Sequence, residues 1–222
     1  MADDPWSRVR EGMERQEVLL GPYFSHQLVH KPRHLLFVLA RYKFAARMLP
    51  PLESVDVLEL GCSEGLGAHL MAERHRVTGV DSDEDAVTHA RRLLGRPGLS
   101  FVHSDFLGRT FGTFRAVVSV DVIEHVPREK EDLFMETVRA NLGPEGLCVI
   151  GTPNAAADAY ASPESRIGHV NLFSAERLMG LVSRYFHNIL VFGMNDEMAH
   201  TGFYPMCHYL FVVGCGPRAS QA

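Results

Sequence analysis

The chain has 222 residues, 46% of them hydrophobic and 22% charged, with a net charge of −5 when histidine is counted as neutral. That length and composition suit one α/β domain with a modest extension and a sizeable buried core. They argue against general nucleic-acid binding, which needs a basic surface, and no run approaches the ~18 apolar residues of a membrane span.

Residues 1–50 read as an N-terminal helical cap or lid, 51–216 as the main domain and 217–222 as a short tail. Met1–Arg10 lacks the apolar run of a signal peptide. Between Gly21 and Leu52 there is no acidic residue. Lys31, Arg33, Arg41, Lys43 and Arg47 alternate there with Tyr23, Phe24, Phe37, Tyr42 and Phe44, and Pro32 suits a helix start. The basic face is either merely solvated or covers an anionic group of a substrate.

Val55–Leu60 is an apolar strand, followed by the Gly-rich turn GCSEGLG and a helical stretch near Ala68–Arg74. RVTGVD is a second strand ending at Asp81, and Asp83–Leu94 a helix with an acidic start and a basic end, as the helix dipole favours. LSFVHSD and RAVVSVD are strands ending at Asp105 and Asp121. Glu129–Leu142 is an amphipathic helix stopped by Gly143 and Pro144, GLCVIGT a fifth strand, and Ser174–Tyr185 a helix. His187–Met194 and His208–Val213 have no helix between them, so they form an antiparallel hairpin at one edge. The alternation predicts an α/β fold with a mainly parallel, seven-stranded sheet that ends in this hairpin. Cys62, Cys148, Cys207 and Cys215 form no C-x-x-C pair, and their spacing suits reduced thiols in a cytoplasmic protein.

Ligands of parallel α/β sheets bind at the carboxyl ends of the strands. Glu59, Gly61, Gly65 and Gly67 lie at the first such end, where glycine permits a sharp turn and close approach to a ligand. Asp81 follows Gly61 by 20 residues, a position from which a carboxylate accepts both ribose hydroxyls.

VLELGCSEGLG resembles motif I of the class I S-adenosylmethionine-dependent methyltransferases, VDSDEDAVTHA their ribose-binding strand and helix, and HSDF their adenine-contacting turn. VVSVDVIEHVP and GLCVIGTPN resemble the later motifs, and Asp-x-Ile-Glu-His-Val is most similar to ubiquinone-biosynthesis O-methyltransferases and small-RNA terminal 2'-O-methyltransferases. The resemblance implies a Rossmann-like fold and S-adenosyl-L-methionine as cofactor. It places Glu59 near the methionine ammonium, Gly61 under the methionyl chain, Asp81 on the ribose diol, Asp105 on the adenine amino group and the Phe106 amide on a ring nitrogen. Val120 would pass the sulfonium and Arg41 would meet the cofactor carboxylate. Cys62, Gly65 and Ser82 complete the expected cofactor set, and Ser63 departs from the commoner glycine.

Asp121, Glu124 and His125 would share one face if a helical turn begins after the fourth strand, and His169 could reach the same sheet edge. Two oxygens and two nitrogens suit Mg²⁺, Mn²⁺, Fe²⁺ or Zn²⁺, although two imidazoles make Mg²⁺ an unusual occupant. Both similar families use a divalent metal at these positions. The metal-free alternative makes His125 or His169 a catalytic general base, and a purely structural cluster is the third reading. The expected function is O-methylation of a small-molecule hydroxyl, with no nucleic acid or membrane span involved and a homodimer left open. An NAD-dependent oxidoreductase shares the Gly turn and terminal acid, and a non-catalytic cofactor-binding subunit shares the fold. The edge hairpin with Asp105-Phe106 counts against the first, and the Asp121–Glu124–His125 group against the second.

Overall fold

A computed structural model describes residues 5–13 and 19–219. Residues 1–4 and 14–18 of the expected cap, and 220–222 of the expected tail, lie outside the described residues.

Among the described residues the N-terminal region forms three helices: α1 (Pro5–Glu11), α2 (Pro22–His30) and α3 (Pro32–Met48). Proline opens each of the last two at a position where its missing N–H is unneeded. α1 buries none of its side chains, whereas α2 buries Phe24 and α3 buries Leu35, Val38, Tyr42 and Ala45. The spacing of these α3 residues is that of one helix face, and the face covers the sheet.

Alternation then proceeds as β1 (Asp56–Leu60), α4 (Leu66–Met71), β2 (Arg76–Asp81), α5 (Glu84–Leu94), β3 (Leu99–His103), β4 (Phe114–Val120), α6 (Glu131–Ala140) and β5 (Leu142–Pro153). After β5 come α7 (Pro163–Gly168), α8 (Ala175–Ser183), β6 (Phe186–Asn195), β7 (Met198–His200) and β8 (Tyr209–Pro217). Asp83 caps α5 by accepting from the Asp85 and Ala86 amides, and Ser174 caps α8 through the Arg177 amide. Such a cap contributes roughly 1 kcal/mol.

Among the described residues the sheet has eight strands, in the order β3-β2-β1-β4-β5-β8-β6-β7. β1 to β5 pair in parallel, and β8 runs antiparallel between β5 and β6. The antiparallel β6–β8 pair expected from the sequence is present, with two differences. β8 lies inside the sheet, flanked on both sides, and a short β7 pairs with β6 to form the outer edge. The expected count of seven is exceeded because the polar loop after Asn195 turns back as a strand. The helix expected over Glu129–Leu142 is shorter, since Arg128–Lys130 is a separate 3₁₀ turn and Leu142 already pairs with Phe114.

Side chains alternate across the sheet with a period of two. Val57 of β1 and Ala116, Val118 and Val120 of β4 face α2, α3, α4 and α5. Leu58, Leu60 and Val117 face α6 and α8. The result is a three-layer sandwich. The same alternation turns Glu59 toward α3 and α4, into an otherwise apolar layer.

Candidate active site

The first βα turn is built for close approach. Gly61 and Gly65 have φ of 79° and 84°. A Cβ on Gly61 would lie 2.3 Å from Val122 Cγ2, and one on Gly67 would lie 2.0 Å from the Tyr42 ring and 2.4 Å from Glu59 Oε1. Ser63 also takes a left-handed conformation, φ 48°. That backbone accounts for the usual preference for glycine there, and for a non-glycine residue it costs roughly 1–2 kcal/mol.

Asp81 ties this turn to the end of β2. Its Oδ2 accepts from the Ser63 amide at 2.7 Å and its Oδ1 from the Asp83 amide at 2.9 Å. Ser82 and Asp105 are exposed beside it, Phe106 and Cys62 are buried, and Asp105 Oδ1 accepts from the Leu107 amide at 3.2 Å. The residues expected to cradle a nucleoside therefore share one end of the sheet.

Glu59 is fully buried, and neither carboxylate oxygen makes a hydrogen bond of normal geometry. Burial pushes its pKa up to about 8, with the nearby Tyr42 hydroxyl opposing that rise. A buried carboxyl without a partner is costly unless it is neutral or paired.

Asp121, directly after β4, has φ 58°, outside the helical region. The chain enters a 3₁₀ turn only at Ile123–His125. The single face expected for Asp121, Glu124 and His125 is broken at this point. Arg41 Nη1 of α3 donates to both oxygens of Asp121, at 2.9 and 2.7 Å, and the guanidinium lies 4.1 Å over the Tyr209 ring.

Glu124, His125 and His169 do come together, with one potential ligand atom from each within 4.8 Å of the others. Asp121 is not in that group, because it faces Arg41. His125 Nδ1 lies 2.8 Å from the Gly168 carbonyl, to which it donates, leaving Nε2 as the free lone pair. The His125 and His169 rings meet edge to face at 5.2 Å. His169 is placed by α7, whose end it terminates, and its pKa is lowered by burial and then by His125. Glu124 is fully buried; its Oε2 accepts from Thr152 Oγ1 at 3.0 Å and its Oε1 has no partner. Burial, then the charge of Asp121, pushes its pKa up to about 8.

Sequence reasoning missed Glu64, Tyr42, Tyr209 and Gln27. Glu64 sits within the Gly-rich turn, yet its carboxylate accepts the Tyr23 and Phe24 amides at 2.8 and 3.0 Å. It thereby caps α2, whose own N-cap, Gly21, offers no side chain. An acid inside the Gly-rich turn GCSEGLG was the only signal in the sequence. Away from this site, a groove of about 480 Å³ opens at the amino ends of β1 and β4, beside the exposed Asp56–Arg76 pair. It is remote from the buried unpaired groups and from the expected ligand end of the sheet.

The glycine turn, the acids at strand ends and the strand order are similar to those of class I S-adenosylmethionine-dependent methyltransferase domains. Residues 57–146 match the family model described as a methyltransferase domain. The chain is similar to the ubiquinone biosynthesis O-methyltransferase of Caulobacter sp. (strain K31), with 30% identity over 148 residues, covering 62% of this chain and 58% of that protein. The match thus spans less than two thirds of that relative's length. Among solved structures, a TehB-like SAM-dependent methyltransferase from Corynebacterium glutamicum superposes with a TM-score of 0.64 at 16% identity, covering 88% of this chain and 100% of the other. The N-methyltransferase NodS from Bradyrhizobium japonicum gives a TM-score of 0.62 at 19% identity, covering 85% and 99%. These two likenesses concern the fold. Among the described residues, no helix is long and apolar enough to cross a membrane.

Proposed function

We propose that the chain transfers a methyl group from S-adenosyl-L-methionine to the hydroxyl of a small molecule, assisted by a divalent metal. The observation that carries the cofactor is Glu59: two buried carboxylate oxygens without a hydrogen bond of normal geometry, directly before the Gly-rich turn at the carboxyl end of β1. A cationic ammonium is the partner such a carboxylate lacks. Asp81 offers its remaining lone pairs to a ribose diol, and Asp105 with the Phe106 amide suits the adenine. Bound there, the cofactor supplies an electrophilic methyl group on a sulfonium, and the acceptor must present a polarised or deprotonated oxygen.

Glu124, His125 and His169 would hold the metal. Their one carboxylate and two imidazoles suit Zn²⁺, Mn²⁺ or Fe²⁺ better than Mg²⁺. A cation there lowers the pKa of a bound hydroxyl. The unpaired Oε1 of Glu124 supports this reading. The Gly168 carbonyl favours a second one, because it orients His125 as a general base requires and leaves Nε2 free to take the hydroxyl proton. O-methylation rests on the similarity to ubiquinone-type relatives.

Turnover of pooled hydroxylated metabolites with labelled methyl donor, with and without chelator, tests both readings. Metal assistance requires loss of turnover in chelator with S-adenosylhomocysteine binding retained. Full activity in excess chelator, with no bound metal, leaves His125 as the base. No transfer and no cofactor binding would remove the proposal.

A further inference from the structure

Five buried side-chain atoms among the described residues lack a hydrogen-bond partner: both oxygens of Glu59, Glu124 Oε1, the Tyr209 hydroxyl and Gln27 Oε1. The first four belong to residues at the carboxyl end of the sheet or in contact with them. Tyr209 stacks with Arg41, which holds Asp121. Gln27 is different, because it belongs to α2, an element read from the sequence only as a lid.

α2 is docked directly on the cofactor turn. Glu64 accepts the first two amides of α2, and Gly21 sits so close that a Cβ there would lie 2.2 Å from the Glu64 carboxylate carbon. Gln27 follows Tyr23 by one helical turn, and its side chain is only 6% exposed. Tyr23 feels the charges of Asp121 and Arg41 at the end of β4 and of Glu64 in the β1 turn, and its side chain lies against Gln27. The inner face of α2 thus packs on the first βα turn, with Tyr23 reaching toward Asp121, and Val122 lies directly against Gly61.

Four of the five unpaired atoms are carboxyl or amide oxygens, two of them on Glu59, and the carboxyl oxygens become pure acceptors once ionised. Their natural complement is a ligand group with several N–H donors and a positive charge. A buried acceptor without a partner costs about 1–3 kcal/mol, so a ligand that pairs it gains correspondingly.

We infer that Gln27 is a cofactor-binding residue supplied by α2: its side-chain oxygen accepts a hydrogen bond from the ammonium of the cofactor's amino-acid end, opposite Glu59. The helix is then part of the binding site, held in register by Glu64. This inference rests on the proposed use of S-adenosylmethionine.

The test is calorimetric binding of S-adenosylhomocysteine and of 5′-methylthioadenosine, which lacks the amino-acid end, to wild type and Gln27→Leu. Gln27→Leu should weaken S-adenosylhomocysteine about tenfold and leave 5′-methylthioadenosine unchanged. Unchanged S-adenosylhomocysteine affinity, or an equal loss for both ligands, would overturn the assignment. Wild-type protein that binds neither nucleoside would instead remove the methyltransferase reading, and the assignment with it.

Discussion

Arg41 Nη1 spans both oxygens of Asp121, at 2.9 and 2.7 Å, and joins α3 to the end of β4 across 80 residues of sequence. The side chains are 16% and 29% exposed. In this structure Asp121 therefore acts as an anchor for the N-terminal helices, and the candidate metal cluster forms beside it without it.

Removing either partner should leave the other partly buried and unpaired. Asp121→Asn and Arg41→Gln should each destabilise by about 2 kcal/mol, between the values for exposed and for fully buried pairs, and the double variant should cost less than their sum. Denaturant unfolding of the four proteins measures this. Strict additivity would mean that the two residues act independently.

Metal affinity should separate Asp121 from its neighbours. Glu124→Gln, His125→Ala and His169→Ala each delete a ligand atom, whereas Asp121→Asn alters only the surroundings and should cost about tenfold or less. Titration with Zn²⁺ or Mn²⁺ decides the point. An Asp121→Asn loss as large as that of His125→Ala would restore Asp121 to the coordination sphere.

Asp81→Ala should weaken S-adenosylhomocysteine by about 1–3 kcal/mol, since the ribose diol loses its acceptor. The turn also loses the anchor for the Ser63 amide. Calorimetry on the folded variant tests the assignment, and equal affinity would end it.

Ser63→Gly should stabilise the protein by roughly 1 kcal/mol, because glycine carries no penalty at φ 48°. Thermal and denaturant unfolding report the change. A destabilised variant would show that the serine side chain contributes more than its backbone costs.

Glu59 has a pKa raised from 4.5 to about 8 by burial. The folded protein therefore holds a proton that the unfolded chain releases above pH 4.5. This contribution to stability is complete below about pH 4.5 and is lost as pH rises toward and through 8. Glu124 adds the same trend over the same window, while His169, lowered by burial, contributes the opposite slope below its usual pKa of 6.5. Ligand-free protein should lose melting temperature between pH 6 and 8.5, and Glu59→Gln should flatten that slope. Binding of S-adenosylhomocysteine near pH 7 should release a proton, seen as a buffer-dependent calorimetric enthalpy. An identical pH profile in Glu59→Gln would show that Glu59 is already ionised.

The parts of the fold legible in sequence were those encoded locally. Apolar runs marked β1 to β5, the acidic start of α5 marked its cap, and Gly61 with Asp81 marked the ligand end of the sheet. The insertion of β8 between β5 and β6 was not legible, because it is decided by pairing of Leu147–Pro153 with residues some 60 positions onward. The arrangement at Asp121 was misjudged for a local reason: a left-handed residue interrupts what the spacing suggested was one helical face. Gln27 and Glu64 were invisible because each acquires its meaning from the other end of a contact, α2 on the cofactor turn.

The interior position of β8 also bears on synthesis. β6 and β7 join the sheet only through β8, so neither has a hydrogen-bonded neighbour in the parallel half before Tyr209–Pro217 is available. Chains grow at about 5–20 residues per second. A nascent chain therefore exposes the apolar edge of β5, including Val149 and Ile150, for several seconds after that strand has left the ribosome. Nascent chains paused shortly before residue 209 should be the ones that chaperones bind and that aggregate, and pairing of β8 is the event that ends this exposure.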